Sequence, residues 1–397
     1  MEKGLGMALL AAVACFSAAA DPPPVIDPAL SGCRRAIVSD ARSGRSLRGI
    51  EDIAVHPAAN IAYLSADDRW AVERSLAHQG DAGPQGGIYL LPLDRVSLQS
   101  DRLEVVDLTD TFETEHSFHP HGIDLVVDAD GRAVLYVINR RHPLRNRTQD
   151  GQPGAGRAGS RWDTMPTVEV FDVDEAGGLH HRRTVREQRL CRANEIAGID
   201  RDRFLVSNDG GSCGRWGRRL ERALGLKRGN VVLVEMDEAT GASTITRIAE
   251  GIGFANGLAV DAQHLYVAAT REQALLVYRL EAFDEIGGPA APVDTIAIAG
   301  GPDNLSWVSE HVLLVAVHPS LLRLAAYRYR WTSLVPAAPT RILSVNVQDG
   351  SWRTLFASDT GEPLAAATVA VAHGGYLIAG SVVDQGLLIC DLGTVAG

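Results

Sequence analysis

Lysine is nearly missing from this chain: Lys3 and Lys227 are the only two among 397 residues, so almost all positive charge is arginine. That is a bias of composition rather than of chemistry. Positive charge of any kind is also outweighed, with 38 Lys and Arg against 49 Asp and Glu and a formal charge of -11. This balance excludes nucleic acid as the main partner, because such a binder needs a concentrated basic face to release phosphate counterions. Long apolar runs are missing too: past the N-terminus none reaches the roughly eighteen residues of a membrane-spanning helix. What is present is a chain with 46% hydrophobic and 22% charged residues, enough for a large core and too apolar for extensive disorder.

The N-terminus carries one short apolar run. Lys3, then Leu5 to Phe16, then Ala18-Ala19-Ala20 before Asp21, have the charged, apolar and small-residue parts of an export signal. The sequence thus predicts a signal peptide over 1–20 and a single domain over 21–397, secreted or periplasmic. A second reading places lipoprotein processing at Cys15, after Ala12-Val13-Ala14. Either route leads out of the cytosol, where Cys33, Cys191, Cys213 and Cys390 form an even set with three possible pairings.

One pattern recurs along the chain: a polar residue or pair, a short alternating strand, an Asp- or Gly-containing turn, and a strongly apolar second strand. It reads EDIAVHPAANIAYLS from Glu51, HGIDLVVDADGRAVLYVIN from His121, NEIAGIDRDRFLVSND from Asn194 and NGLAVDAQHLYVAAT from Asn256. It returns as DNLSWVSEHVLLVAVHP from Asp303 and TVAVAHGGYLIAGS from Thr368, which makes six copies. Runs such as Val168 to Phe171, Val231 to Glu235 and Leu275 to Tyr278 supply outer strands. The expectation is an all-β, six-bladed β-propeller with four-stranded blades around a central tunnel. A solenoid would need atypical capping repeats, and none are evident.

Two segments interrupt the pattern. Residues 143–163, rich in Gly and Arg, read as a long exposed loop. Residues 214–227 place Trp216, Leu220, Ala223 and Leu224 at helical spacing with arginines opposite. This predicts a surface helix covering a blade edge, or alternatively a lid or membrane-surface helix beside the site.

Equivalent positions in a repeat occupy equivalent positions in space, so Glu51, Asn194, Asn256, Asp303 and Asn304 should converge at one end of the inner strands. Carboxylate and amide oxygens without thiolate or imidazole describe a site for a hard cation, Ca²⁺ rather than Zn²⁺. Turn formation accounts for any single Asn or Asp at a strand entrance. It accounts poorly for oxygen ligands at five matched places, with His121 at another.

Through the motifs GIEDIAV, FHPHGID, CRANEIAGI, GFANGLAV, GPDNLSWV, the VHP around His318, and LLICDL, the chain resembles the paraoxonases from about Cys33 to Leu392. The resemblance implies a six-bladed propeller with two calcium ions in its tunnel, hydrolysing lactones and aryl esters. Glu51, Asn194, Asn256, Asp303 and Asn304 match the positions that hold the catalytic calcium. Asp52, the backbone carbonyl of Ile123, and Glu195 match the structural calcium, with Glu195 in place of the family's usual Asp. Cys33 and Cys390 match cysteines that tie the first strand to the last blade. Cys191 and Cys213 form a second bridge or remain thiols.

His121 of HPHG matches the family's catalytic His, whose near-neutral pKa suits removal of a proton from water. The family's second His falls on Arg140, which cannot relay a proton. Either His142 substitutes, or His121 or a carboxylate such as Asp303 works alone. Gly210 stands where another pocket His is expected, while His318 is kept. The implied function is calcium-dependent hydrolysis of a small-molecule lactone or ester. The alternatives are a non-catalytic, calcium-stabilised propeller that binds a partner and a related sugar-lactone hydrolase. Asn146-Arg147-Thr148 and Asn304-Leu305-Ser306 fit the N-glycosylation pattern, though Asn304 is expected inside the tunnel.

Overall fold

The computed structural model describes residues 32–393 apart from 79–82, 113–116, 143–164, 282, 284–287 and 333. The export signal, the lipoprotein reading at Cys15, the loop at 143–163 and the Asn146 sequon lie outside the described residues.

The chain is all-β, with short strands built into small sheets in a propeller-like arrangement. Four sheets have four strands each. The first contains β6 (Pro120–Val127), β7 (Ala133–Asn139), β8 (Thr167–Val173) and β9 (Leu179–Val185). The next contains β10 (Ala193–Gly198), β11 (Arg203–Asn208), β12 (Gly229–Met236) and β13 (Ser243–Ile252). The third is β14 (Ala255–Val260), β15 (His264–Ala269), β16 (Ala274–Arg279) and β17 (Asp294–Ala297). The fourth is β18 (Gly301–Ser309), β19 (Val312–His318), β20 (Thr340–Asn346) and β21 (Trp352–Ser358).

The fifth sheet departs from the expected six separate blades. It holds eight strands: β2 (Ile50–Val55), β3 (Ile61–Ala66), β4 (Gly87–Pro92) and β5 (Arg102–Asp107), then β1 (Arg34–Asp40), then β24 (Leu387–Asp391), β23 (Tyr376–Ser381) and β22 (Ala367–His373). The cause is β1, which pairs antiparallel with β24 through Arg34–Ala36 and parallel with β5 through Ile37–Asp40. One strand thus satisfies two edges that would otherwise stay open. The Cys33–Cys390 disulfide fastens the same seam.

Local chemistry accounts for the repeated hairpins. Val, Ile and Leu alternate along the strands, and an Asp opens many of the turns by accepting the N–H two residues on, as Asp128 does from Asp130 at 3.0 Å and Asp261 from Gln263 at 2.7 Å. The sheets stack through apolar faces, with Val134, Tyr136, Phe204 and Val232 in one such layer. The first strands pack side by side in a closed circuit, β2, β6, β10, β14, β18, β22 and back to β2. The approach is close: a Cβ on Gly257 would lie 2.3 Å from the Asp303 carbonyl oxygen, which excludes any larger residue there.

Three helices lie on one side of this circuit, α1 (Arg69–His78), α2 (Arg215–Leu224) and α3 (Leu321–Arg328). The helix expected over 214–227 forms, but with the opposite face inward. Trp216, Leu220 and Leu224 are 80%, 57% and 62% exposed, while Glu221 is buried against Arg192. An ion pair beneath the helix, rather than an apolar blade edge, sets its orientation, so the blade-covering reading is corrected. Among the described residues no helix is long and apolar enough to cross a membrane.

Candidate functional site

Each strand of the inner circuit has a register shift at its start, and the predicted residues sit in these irregularities. Glu51 falls in the shift between Ile50 and Asp52, His121 in that between Pro120 and Ile123, and Asn194 in that between Ala193 and Glu195. Asn256 falls between Ala255 and Leu258, Asp303 and Asn304 between Pro302 and Leu305, and Thr368 between Ala367 and Val369. A bulge releases a residue from the ladder and re-aims its side chain. Six such bulges at one end of six adjacent strands turn the released side chains toward each other.

The result is a connected buried cluster. The His121 Nδ1 lies 2.9 Å from Glu51 Oε2, and His121 Nε2–H donates to Asn194 Oδ1 at 2.9 Å. Asn194 donates to Asn256, whose Nδ2 donates to Asp303 Oδ1 at 2.5 Å. His318 Nε2–H donates to the other Asp303 oxygen at 2.6 Å. Asn304 Nδ2 reaches the Glu51 carbonyl at 3.4 Å, and the Thr368 hydroxyl donates to the same carbonyl at 2.8 Å. All five residues of the expected first calcium set are therefore brought into one network.

Asn304 nevertheless faces the other end of the circuit. With Asp52, Ile123 and Glu195 it lines a cavity of about 580 Å³, whereas Glu51, Asn194, Asn256 and Asp303 line one of about 380 Å³ on the helix side. Asp52 accepts the N–H of Ile53 at 2.9 Å and of Ile123 at 2.7 Å. Glu195 Oε1 accepts from Ile196 at 2.8 Å. Gly122 makes room for this carboxylate, since a Cβ there would stand 2.2 Å from Glu195 Oε1.

Oxygen donors outnumber their partners here. Asn304 Oδ1 and Glu195 Oε2 are buried and accept no hydrogen bond, and Glu51 Oε2 has only the His121 ring beside it. Burial, and then the charge of Glu51, raises the Asp52 carboxyl well above the usual range; burial and then Asp52 do the same to Glu195. Orphaned hard oxygens and mutually repelling carboxylates fit a divalent cation of the calcium type. Among the described residues no three His, Cys, Asp or Glu side chains form a metal cluster by themselves. Three of the five expected ligands of the first set are asparagines, so that set cannot be recognised by acidic and imidazole groups alone.

His121 is held neutral. Burial foremost, with Arg140 and Arg69 contributing, pushes its pKa down to about 4 against the opposing pull of Glu51. Arg69 Nη2 donates to its Nδ1 at 2.5 Å. Arg140, at the position of the missing second His, donates to Asn194 Oδ1. His142 does not line the cavity of His121: it packs edge-on against His119, ring centroids 4.9 Å apart, and His119 donates to Asp67 at 3.0 Å. At Gly210, Arg192 and Glu221 fill the space a side chain would need. Cys191 and Cys213 are bridged, which resolves the pairing left open by the sequence. Asn304 is buried and offers no glycan acceptor.

Arg69 escaped sequence reasoning because it lies outside the repeat. Its position follows from Asp68, whose carboxylate accepts the Ala71 N–H at 2.9 Å and starts α1 beside His121. The DDRW run before an apolar stretch was the available signal.

A family model described as Arylesterase matches residues 161–392. Serum paraoxonase/arylesterase 1 of Mus musculus is 27% identical over 349 residues, covering 87% of this chain and 86% of that protein. Its Homo sapiens counterpart is 25% identical over the same shares. Among solved structures, the periplasmic gluconolactonase of Pseudomonas aeruginosa overlays with a TM-score of 0.42 at 14% identity, covering 75% of this chain and 72% of that one.

Proposed function

The chain belongs to the arylesterase family of paraoxonases, and from that premise we propose that it is a calcium-dependent hydrolase of lactones or aryl esters. The observation that carries this reading is the convergence of Glu51, Asn194, Asn256 and Asp303 on one cavity beside a neutral His121. On this reading the eight-stranded sheet counts as two four-stranded blades sewn together by β1, which makes six blades around the tunnel.

Two ions are proposed. Glu51, Asn194, Asn256, Asp303 and Asn304 would hold the catalytic calcium, and Asp52, the Ile123 carbonyl and Glu195 the structural one. When bound, the first ion supplies a Lewis acid that polarises the substrate carbonyl and balances charge on its oxygen. The rest is the work of side chains. His121 Nε2–H is committed to Asn194, so Nδ1 is the nitrogen that can take a proton from water, in place of the hydrogen bond from Arg69. His318 orients Asp303, and Thr368 fixes the backbone carrying Glu51.

Arg140, standing where the family's second His is expected, favours an alternative, a calcium-stabilised propeller without catalysis. Hydrolysis of γ- and δ-lactones and phenyl acetate, with calcium and after chelation, separates the two. The hydrolase reading expects calcium-dependent turnover that falls about 100-fold or more in His121→Gln and is lost in Asn256→Ala. Calcium binding with thermal stabilisation but no turnover on any substrate would instead support the non-catalytic reading. An exported location is part of the same proposal, supported by the two disulfides.

A further inference from the structure

The cavity in front of the oxygen cluster is lined by seven arginines and only four carboxylates, Glu51, Asp209, Glu221 and Asp303. This is the reverse of a chain whose formal charge is -11. Glu51 and Asp303 belong to the proposed calcium set, and Asp209 and Glu221 are both engaged by Arg192. Among the described residues, Arg69, Arg140 and Arg271 have no carboxylate within ion-pair reach. Arg69 reaches His121, Arg140 reaches an amide and a carbonyl oxygen, and Arg271 lies over the Phe254 ring at 5.8 Å. Arg328 pairs at 2.7 Å with Glu73, which does not line this cavity.

Guanidiniums this close repel one another. Burial, then Arg69, lowers the Arg328 pKa. Several of these arginines, Arg69, Arg140 and Arg328 among them, also line an adjoining cavity of about 460 Å³. Buried charge is normally paired, yet Arg69 is buried without a carboxylate; Arg271, exposed and also without one, and Arg328, half-buried and paired only to one side, face the same open space, where guanidinium forks match the geometry of a bound carboxylate or phosphate.

We propose that the substrate is an anion: a lactone or ester carrying a carboxylate or phosphate, gripped by Arg271 and Arg328 at the mouth while its reacting carbonyl faces the oxygen cluster. The cavity of about 380 Å³ suits one small ring and one such group. The catalytic part rests on the hydrolase reading above; the anion site does not.

The test compares aryl acetates that share the reacting ester and differ in the charge of the para substituent. Calcium-loaded protein is given 4-acetoxybenzoate, 4-acetoxyphenyl phosphate and neutral methyl 4-acetoxybenzoate, and phenol release is followed. Calorimetry on the same protein measures binding of 4-hydroxybenzoate against its methyl ester. The expected kcat/KM preference for an anionic ester is about tenfold or more, the worth of one charge-assisted hydrogen bond, and it shrinks with added salt. In Arg271→Gln and Arg328→Gln the preference collapses, mainly through KM. Should neither these esters nor the lactones above be turned over, the hydrolase reading fails, while tighter binding of 4-hydroxybenzoate that weakens in both variants still supports the anion site. Equal binding of the two phenols overturns the proposal. So does a preference that survives both substitutions, which would assign it to the metal.

Discussion

Replacing Glu195 with glutamine should shift stability in opposite directions with and without calcium. Asp52 and Glu195 are buried together, and each is raised well above the usual carboxylate range. In ion-free protein such a group folds either as a buried charge or with a proton taken up. Because its folded pKa lies above its unfolded value, the unfolded chain binds fewer protons, and stability falls as pH rises from about 4 toward the folded pKa. Glutamine keeps the side-chain length and the oxygen that accepts from Ile196, yet removes this penalty. Relieving such a buried charge is set at about 1–4 kcal/mol, the range found when buried ion pairs are replaced by uncharged side chains. With an unfolding entropy of roughly 0.8 kcal/mol/K for a chain of this length, that raises Tm by about 1–5 °C in chelator. Calcium at about 1,000 times its Kd stabilises the parent protein by about 4 kcal/mol, or about 5 °C. The variant lacks a charged ligand and forfeits about 1.4 kcal/mol of that gain for each tenfold loss of affinity. Scanning calorimetry of both proteins, in calcium and in chelator, reads all four values. A variant that melts lower in chelator and keeps the full calcium-dependent rise would refute Glu195 as a ligand.

Opening the ring by Cys33→Ser with Cys390→Ser removes a crosslink between residues 357 apart. Loop entropy sets its upper limit at about 6 kcal/mol, or about 7 °C in a thermal melt; an unchanged Tm would show that the hydrogen bonds of β1 alone hold the seam. Burial, then His119, lowers His142 from its ordinary 6.5 to about 4. Between those values the unfolded chain binds a proton that the folded chain does not, so stability falls as pH drops from 6.5 toward 4. Urea midpoints at pH 7 and pH 5 should converge in His142→Gln, and an unaltered gap would contradict the burial argument.

The sites that were legible in the sequence are those that recur. Glu51, Asn194, Asn256 and Asp303 each stand at the start of a similar hairpin, and because each hairpin builds the same bulge, likeness in sequence became proximity in space. Asp52, Ile123 and Glu195 were legible only through the resemblance to the paraoxonases, since the repeat marks Glu51, His121 and Asn194 and not these positions themselves. The closure by β1 was readable only through its cysteines, since nothing local in Arg34–Asp40 reveals that it straddles two neighbours. The orientation of α2 was ambiguous for a physical reason: its apolar and charged residues both recur at helical spacing, and the half-buried Arg192 that selects the charged face lies outside the helix, 29 residues before Glu221. Arg69 and Arg271, which belong to no repeat, acquire meaning only from the cavity they enclose.

The most direct test of the metal-assisted hydrolase is to titrate calcium into dialysed protein while measuring bound metal and lactone turnover in the same samples. Two ions per chain, with turnover rising as they bind and absent before, is the predicted result. Full turnover in protein free of calcium, or two bound ions with no hydrolysis of any lactone or ester, would contradict it.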